Sequence, residues 1–289
     1  MLNIQTETAL YRLQKALDQA EAVLIGAGSG LSSSAGFVYD GERFERYFAD
    51  FEKQYGFHDM YAGGFYPFKT PEERWAYWSR FILINRYMDP PKPVYQELRK
   101  LVEKKDYFVL TSNIDGQFIK AGFDPQRVFE PQGSIALLQC SRPCCDMLWD
   151  GEPFYRQIAR DIDPVSFSCP TEDIPHCPHC GAPLVQNLRG PDCFIPRETM
   201  KNRQPFEDFM KEAEHSSTLF LELGVGFNSP GLIRHYFQRL TWLWPNARLI
   251  RFNRDYPSTP KKLGERALPV GGDLKENLLK LDRFCQEEL

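Results

Sequence analysis

Long apolar runs are missing from this 289-residue sequence: no stretch approaches the ~18 consecutive apolar residues of a bilayer-crossing helix, so no membrane partner is expected. A basic surplus is missing as well. Lys and Arg number 35 against 39 Asp and Glu, giving a net charge of −4 and a pI near 5.8. Without the clustered cationic face that neutralises phosphates, nucleic acid is excluded as a main partner. The first twenty residues, MLNIQTETALYRLQKALDQA, lack the basic start and apolar stretch of a secretory leader, and a cytoplasmic location is expected. Leu10, Leu13 and Leu17 recur there at helical spacing instead. There are no internal repeats and no low-complexity tract. What is present is an ordinary globular composition, 42% hydrophobic and 26% charged, in a chain long enough for one large domain and a smaller one.

Short apolar runs are spaced along the chain. Ala22-Val23-Leu24-Ile25 ends in glycines, and Tyr107 to Thr111, Leu219 to Leu223, Leu249 to Phe252 and Leu268 to Val270 follow it. Helical patterns such as Val94 to Glu103 and Leu274 to Phe284 separate most of them. Strand and helix in alternation predict an α/β fold, a Rossmann-like doubly wound parallel sheet. Two stretches interrupt the rhythm. Residues 37–95 are rich in aromatics and poor in strand signal, a helical insertion whose rings fill its own core. Residues 138–190 hold six of the eight cysteines and no long periodic segment, so they need a staple. The expected organisation is therefore a Rossmann-like domain from residues 1–36, 96–137 and 191–289, the insertion 37–95, and a small zinc-binding module 138–190.

In a chain expected to be cytoplasmic, clustered cysteines read as metal ligands rather than disulfides. Cys177-Pro178-His179-Cys180-Gly181 is a zinc knuckle, and Cys140, Cys144 and Cys145 supply an irregular second pair. Four thiolates leave no open position for water, so the site is structural. Cys140, Cys145, Cys177 and Cys180 are the expected ligands. Cys144 is the alternative to Cys145, with His176, His179 and Cys169 as further substitutes.

Small polar turns close strand after strand. Gly26-Ala27-Gly28-Ser29-Gly30 follows the first strand, where glycines let backbone approach a pyrophosphate. The acidic residue that a hydride-transferring dehydrogenase carries ~20 residues further on is missing, which argues against redox chemistry. Thr111-Ser112-Asn113-Ile114-Asp115-Gly116 ends another strand, then come Glu130-Pro131-Gln132-Gly133-Ser134, Gly224-Val225-Gly226-Phe227-Asn228-Ser229, Phe252-Asn253 and Gly271-Gly272-Asp273.

In this order the pieces resemble the sirtuin family, from about residue 20 to residue 280. The resemblance implies an NAD-consuming enzyme that breaks the nicotinamide–ribose bond and passes the ribosyl carbon to a nucleophile. It implies that Gly26, Ala27, Gly28 and Ser29 hold the diphosphate, that Gly224, Asn228 and Asn253 face the adenosine half, and that Asn113 and Asp115 grip the nicotinamide ribose and carboxamide. Ser112 and Asp273 join the cofactor-binding set. Three departures matter. Gln132 stands where the family has its His-Gly base, and an amide cannot take a proton near neutral pH. The glycine loop is about two residues longer, with Phe37 to Phe44 in place of P-D-F-R. Phe194-Ile195-Pro196-Arg197-Glu198 replaces the F-G-E segment that pairs with an acyl-lysine peptide, and Pro196 lacks a backbone donor.

These departures resemble the class M, macrodomain-linked microbial sirtuins. That resemblance implies a protein ADP-ribosyltransferase acting on a lipoyl-carrier protein, with Asn113, Asp115 and Gln132 as catalytic residues and a macrodomain protein as a possible partner. The alternatives are a deacylase for an unusual acyl group, with Asp115 or substrate hydroxyls as base, and a catalytically dead NAD sensor.

Overall fold

The computed structural model describes residues 4–190, 193–227 and 230–278, the first seven of these by backbone alone. Six strands form one all-parallel sheet: β1 (Ala22–Ala27), β2 (Asp106–Thr111), β3 (Val128–Phe129), β7 (Thr218–Leu223), β8 (Arg248–Phe252) and β9 (Ala267–Val270). The strand order is β3-β2-β1-β7-β8-β9. β1 and β7 are buried at every position, as the central strands of a sheet covered on both faces must be.

Helix α1 (Ile4–Gln19) packs Leu13 and Leu17 against one face, and α6 (Val94–Val102) adds Tyr95, Leu98 and Val102 to that core. Two later helices, Arg203–Ala213 and Arg234–Leu243, cover the other face with Phe206, Phe209, Phe237 and Leu240. The chain leaves β1 on one side and β7 on the other, so the order reverses between them. That reversal opens a crevice beyond the carboxyl ends of the strands. The five apolar runs read from the sequence are all strands here; the edge strand β3 is too short to leave a pattern. The expected helix from Leu274 begins on schedule, and its part beyond residue 278 lies outside the described residues.

The second half is built differently. β4 (Gly133–Cys140), β5 (Leu148–Asp150) and β6 (Leu184–Leu188) make a small antiparallel sheet in the order β5-β4-β6. Against it lie α3 (Gly41–Tyr55), α5 (Pro71–Ile82) and α8 (Glu152–Arg160). Thr70 caps α5 by accepting from the Glu73 N–H at 3.2 Å, and Pro71 opens its first turn. Segment 138–190 thus holds one regular helix that its irregular composition concealed. It also shares its core: Phe44, Phe48, Phe51, Trp75 and Tyr77 pack with Leu138, Tyr155, Ile158 and Leu184 in one cluster. The aromatic insertion supplies the apolar volume that the cysteine-rich segment lacks.

Candidate functional site

At the reversal point, the loop after β1 and the loop after β7 touch backbone to backbone. Gly30 N–H donates to Gly224 O at 2.9 Å and Gly28 N–H to Leu223 O at 3.0 Å. A methyl at Gly28 would fall 2.8 Å from Gly224 O, so only glycine permits this contact. Beside it lies a cleft of about 450 Å³ whose walls include Gly28, Ser29, Ser112, Asn113, Gln132, Val225 and Gly226. Phe65, Ile114, Leu188 and Arg189 complete the lining. Glycine loop, strand-end Asn and amide therefore face one volume, and this donor set and shape fit a dinucleotide.

Behind the cleft a hydrogen-bonded network fixes the polar groups. Asn113 is buried; its Nδ2 donates to Gly28 O and to Ser32 Oγ, both at 3.1 Å. Ser32 Oγ donates to Asp115 Oδ2 at 2.6 Å and lies 2.9 Å from the Tyr95 hydroxyl. Asp115 Oδ1 accepts from the Gln117 N–H at 3.2 Å. Burial raises the Asp115 carboxyl despite these bonds, and burial followed by the Asp115 charge raises the Tyr95 phenol.

The helical insertion braces the loop that carries Asp115 and Gln117. After α5 the chain widens into a π-helical turn, Leu83–Tyr87. Arg43 Nη1 donates to Asn85 Oδ1 at 2.9 Å and its Nη2 to Ile84 O at 2.8 Å, while Gln117 Nε2 donates to Asn85 O at 3.0 Å. The turn so braced lays the Arg86 guanidinium on Gly116, whose φ is +61°; a methyl there would fall 1.0 Å from Arg86 Nη1. Such π turns cluster at functional sites.

The metal centre is distinct. The sulfurs of Cys140, Cys144, Cys177 and Cys180 all lie within 4.8 Å of one another, with Cys140–Cys180 at 3.5 Å, Cys144–Cys177 at 3.6 Å and Cys144–Cys140 at 3.7 Å. Zinc–sulfur bonds of ~2.3 Å in a tetrahedron require sulfur separations of about 3.8 Å. The four thiols fit zinc. The cluster differs from the expected set in one member: the structure brings Cys144, and not Cys145, together with the other three thiols. Cys145 turns inward and packs against the aromatic cluster, and the Cys144 N–H is held by Arg142 O in a tight turn.

No family model matches the chain. A curated relative from Staphylococcus aureus strain Mu50, named protein ADP-ribosyltransferase, is 34% identical over 264 residues, covering 91% of this chain and 83% of the relative. A second, from Fusarium oxysporum f. sp. cubense, is named a probable bifunctional ADP-ribose hydrolase/ADP-ribosyltransferase; identity is 30%, and the match covers 81% of this chain but 39% of that protein. Among solved structures, a Sir2 enzyme superposes with a TM-score of 0.59 at 18% identity over 98% of this chain and all of that one. A Sir2 complex with a p53 peptide and NAD+ gives 0.60 at 19%, over 96% and 99%. The chain belongs to the sirtuin family.

Within this sirtuin the remaining expected residues fall out unevenly. Asn253 is buried and spans two loops, donating to Val225 O at 2.9 Å and accepting from the Tyr256 N–H at 2.9 Å. Ser112 packs on β1 through its N–H to Ala27 O at 3.0 Å. Asp273 is exposed and accepts from the Glu276 N–H at 3.0 Å, as a helix cap does. Asn228 lies outside the described residues. Sequence reading missed Ser32, Tyr95, Arg86 and Arg189. Ser32 stands two residues past the glycine loop, the first of three consecutive serines, and only the fold selects it. Arg189 gave no signal at all; its Nε donates to Pro131 O at 2.9 Å and its N–H to Gln132 O at 2.9 Å, so it fixes the main chain on both sides of Gln132's nitrogen.

Proposed function

We propose that this protein is an NAD-dependent protein ADP-ribosyltransferase with little or no deacetylase activity, acting on a lipoylated carrier protein. The observation that carries the reading is the absence of imidazole from the cleft. The chain has five histidines. Gln132 lines the cleft, and His58, His176, His179, His215 and His235 do not. His58 is exposed beside Glu52, His176 precedes the zinc knuckle and His179 lies within it. A deacylase of the usual sirtuin route needs a base that can be a proton acceptor near neutral pH, and Gln132 is not one.

Gln132 suits a different task. Its amide supplies a fixed dipole beside the ribosyl carbon, where positive charge grows as nicotinamide departs. Asn113 and Asp115 hold the nicotinamide ribose and carboxamide, and the glycine loop holds the diphosphate. The rival deacylase with Asp115 as base is disfavoured because both Asp115 oxygens already accept hydrogen bonds, from Ser32 and from Gln117. The names of the staphylococcal and Fusarium relatives support transfer, and the bifunctional name of the second supports a macrodomain-type hydrolase as a working partner. Zinc holds the small half together and takes no part in the reaction.

The test is incubation with NAD labelled in its adenylate half, in lysates with and without lipoylated proteins. Label is expected on a protein band that disappears when lipoylation is blocked. Label on protein regardless of lipoylation would overturn the carrier assignment and leave the transferase standing.

A further inference from the structure

The acceptor needs a seat beside the cleft, and the segment that takes the place of the family's strand-pairing F-G-E does not offer one. Residues 193–196 spend their main chain inward. The Ile195 N–H donates to Gln139 Oε1 at 2.9 Å, Ile195 O accepts from Asn187 Nδ2 at 3.0 Å, and Cys193 O accepts from Gln139 Nε2. Pro196 has no N–H, and its carbonyl accepts from the Met200 N–H and the Thr199 hydroxyl, both at 2.8 Å. Gln139 and Asn187 are fully buried, so freeing this backbone for an incoming strand would leave two buried amides without partners. An extended peptide adds to a sheet through free main-chain groups, and too few remain here. Recognition of the acceptor falls to side chains.

The cleft supplies them at its mouth. Its lining grades from buried Asn113, 8% exposed, through half-buried Ile114 and Leu188, to Phe65 at 73%. Tyr61, 54% exposed, stands against Phe65 with ring centroids 4.9 Å apart. Both rings ride on a fixed turn, Met60–Gly64. Asp59 accepts from the Ala62 N–H at 2.7 Å, and the Phe65 N–H closes on Ala62 O at 3.2 Å. Gly63 packs so closely on Tyr77 that a methyl would fall 2.6 Å from its hydroxyl. An aromatic pair held open to water at the mouth of a cleft marks a contact still to be made. Among the described residues the lining carries no Asp or Glu, and Arg189 is its one charge. A lysine ammonium finds no counter-charge there, whereas an acylated lysine needs none.

We propose that Phe65 and Tyr61, with Ile114 and Leu188 deeper in, seat the neutral aliphatic arm of the acceptor, a lipoyl-lysine. The choice of that arm rests on the transferase reading given above. Its methylenes and dithiolane ring gain by leaving water against the two aromatic rings, and sulfur adds a favourable contact at a ring edge. An arm so seated lies in the volume that Gln132 and Asn113 also line. The seat selects an acceptor by its modification rather than by the sequence around it, in keeping with a main chain that is closed to strand pairing.

The experiment uses the full chain and one purified carrier protein in three forms: unmodified, octanoylated and lipoylated. Binding is measured by calorimetry without NAD, and transfer by nicotinamide release and mass spectrometry with it. Wild type should bind the lipoylated form at least about tenfold more tightly than the unmodified form. Phe65→Ser should cancel that preference and raise the KM for lipoylated carrier about tenfold, with kcat and NAD affinity held within about threefold. Tyr61→Ser should act in the same direction more weakly, and Phe65→Trp should keep the wild-type preference. A folded Phe65→Ser that retains the wild-type affinity and KM overturns the seat and leaves the transferase reading standing. An octanoylated carrier bound as tightly as the lipoylated one overturns the lipoyl assignment. A wild type that modifies no protein defeats the transferase reading, and the binding measurement, which needs no NAD, still decides the seat.

Discussion

Every residue of β1 and β7 is buried, whereas β5 of the small sheet buries none of its three and β4 buries five of its eight. The parallel sheet is covered on both faces by helices whose apolar residues recur at helical spacing, and its core is continuous. The small half has no such run of its own. It takes its interior from Phe44, Phe48, Phe51, Trp75 and Tyr77 of the insertion and is pinned at its far end by four thiols. One half is self-supporting by hydrophobic burial; the other depends on a borrowed core and a metal. The candidate cleft lies where they meet, with the glycine loop and Asn113 from the first and Phe65 and Gln132 near the second.

The contrast breaks most severely at the metal. Cys144→Ser or Cys180→Ser should give insoluble or unfolded protein and no bound zinc. A structural zinc contributes on the order of 10 kcal/mol to such small modules, comparable to the whole ~5–15 kcal/mol of a domain. Cys145→Ser should keep about one zinc per chain, measured by metal analysis, and stay folded. The reverse result would restore Cys145 as ligand and place Cys144 outside.

Asn113→Ala tests the sheet half. It removes the bonds to Gly28 O and Ser32 Oγ and, in the function proposed above, the group that orients the nicotinamide ribose, so transfer should drop by roughly a thousandfold in single-turnover assays, with circular dichroism unchanged. A loss of folding rather than of rate would make Asn113 a structural residue.

At the seam between the halves the expected effect is on stability and depends on pH. The Glu130 carboxyl sits near 7 when folded against 4.5 as its ordinary value. A raised carboxyl favours the folded state below its ordinary value, and that contribution is lost as pH rises through 7. Glu130→Gln should therefore match wild type near pH 4.5 and exceed it by up to about 3 kcal/mol at pH 8, read from urea unfolding at both pH values. Equal stabilities at pH 8 would mean that the carboxylate is well solvated.

The parallel sheet was legible because burial on both faces forces continuous apolar strands and because glycines must follow them; Ala22 to Gly28 shows both. The small half was not, since its core residues are scattered from Phe44 to Leu184 and no local period connects them. The choice between Cys144 and Cys145 turned on one residue's direction in a tight turn, which spacing cannot give. The order along the chain pointed to Asn113 and Gln132, which line the cleft, and to Asp115, which stands in the network behind it. Arg86 and Arg189 were not, because they reach the site from the insertion and from the chain after β6, far from any strand-end motif.

Gln132→Ala sharpens the account with a smaller effect. Its side chain donates no fold-holding bond among the described residues, so turnover should fall about 10- to 100-fold with NAD affinity little changed, as for a dipole aimed at the transition state. An equal loss in affinity would assign it to binding.

The most direct measurement is mass spectrometry of candidate acceptor proteins, lipoylated carriers first, after reaction with NAD and this chain, beside the same proteins carrying acetyl or longer acyl groups on lysine. The account predicts ADP-ribose attached to protein, abolished by Asn113→Ala, with the acyl groups left in place. Unmodified acceptors together with efficient loss of the acetyl or longer acyl groups would contradict it.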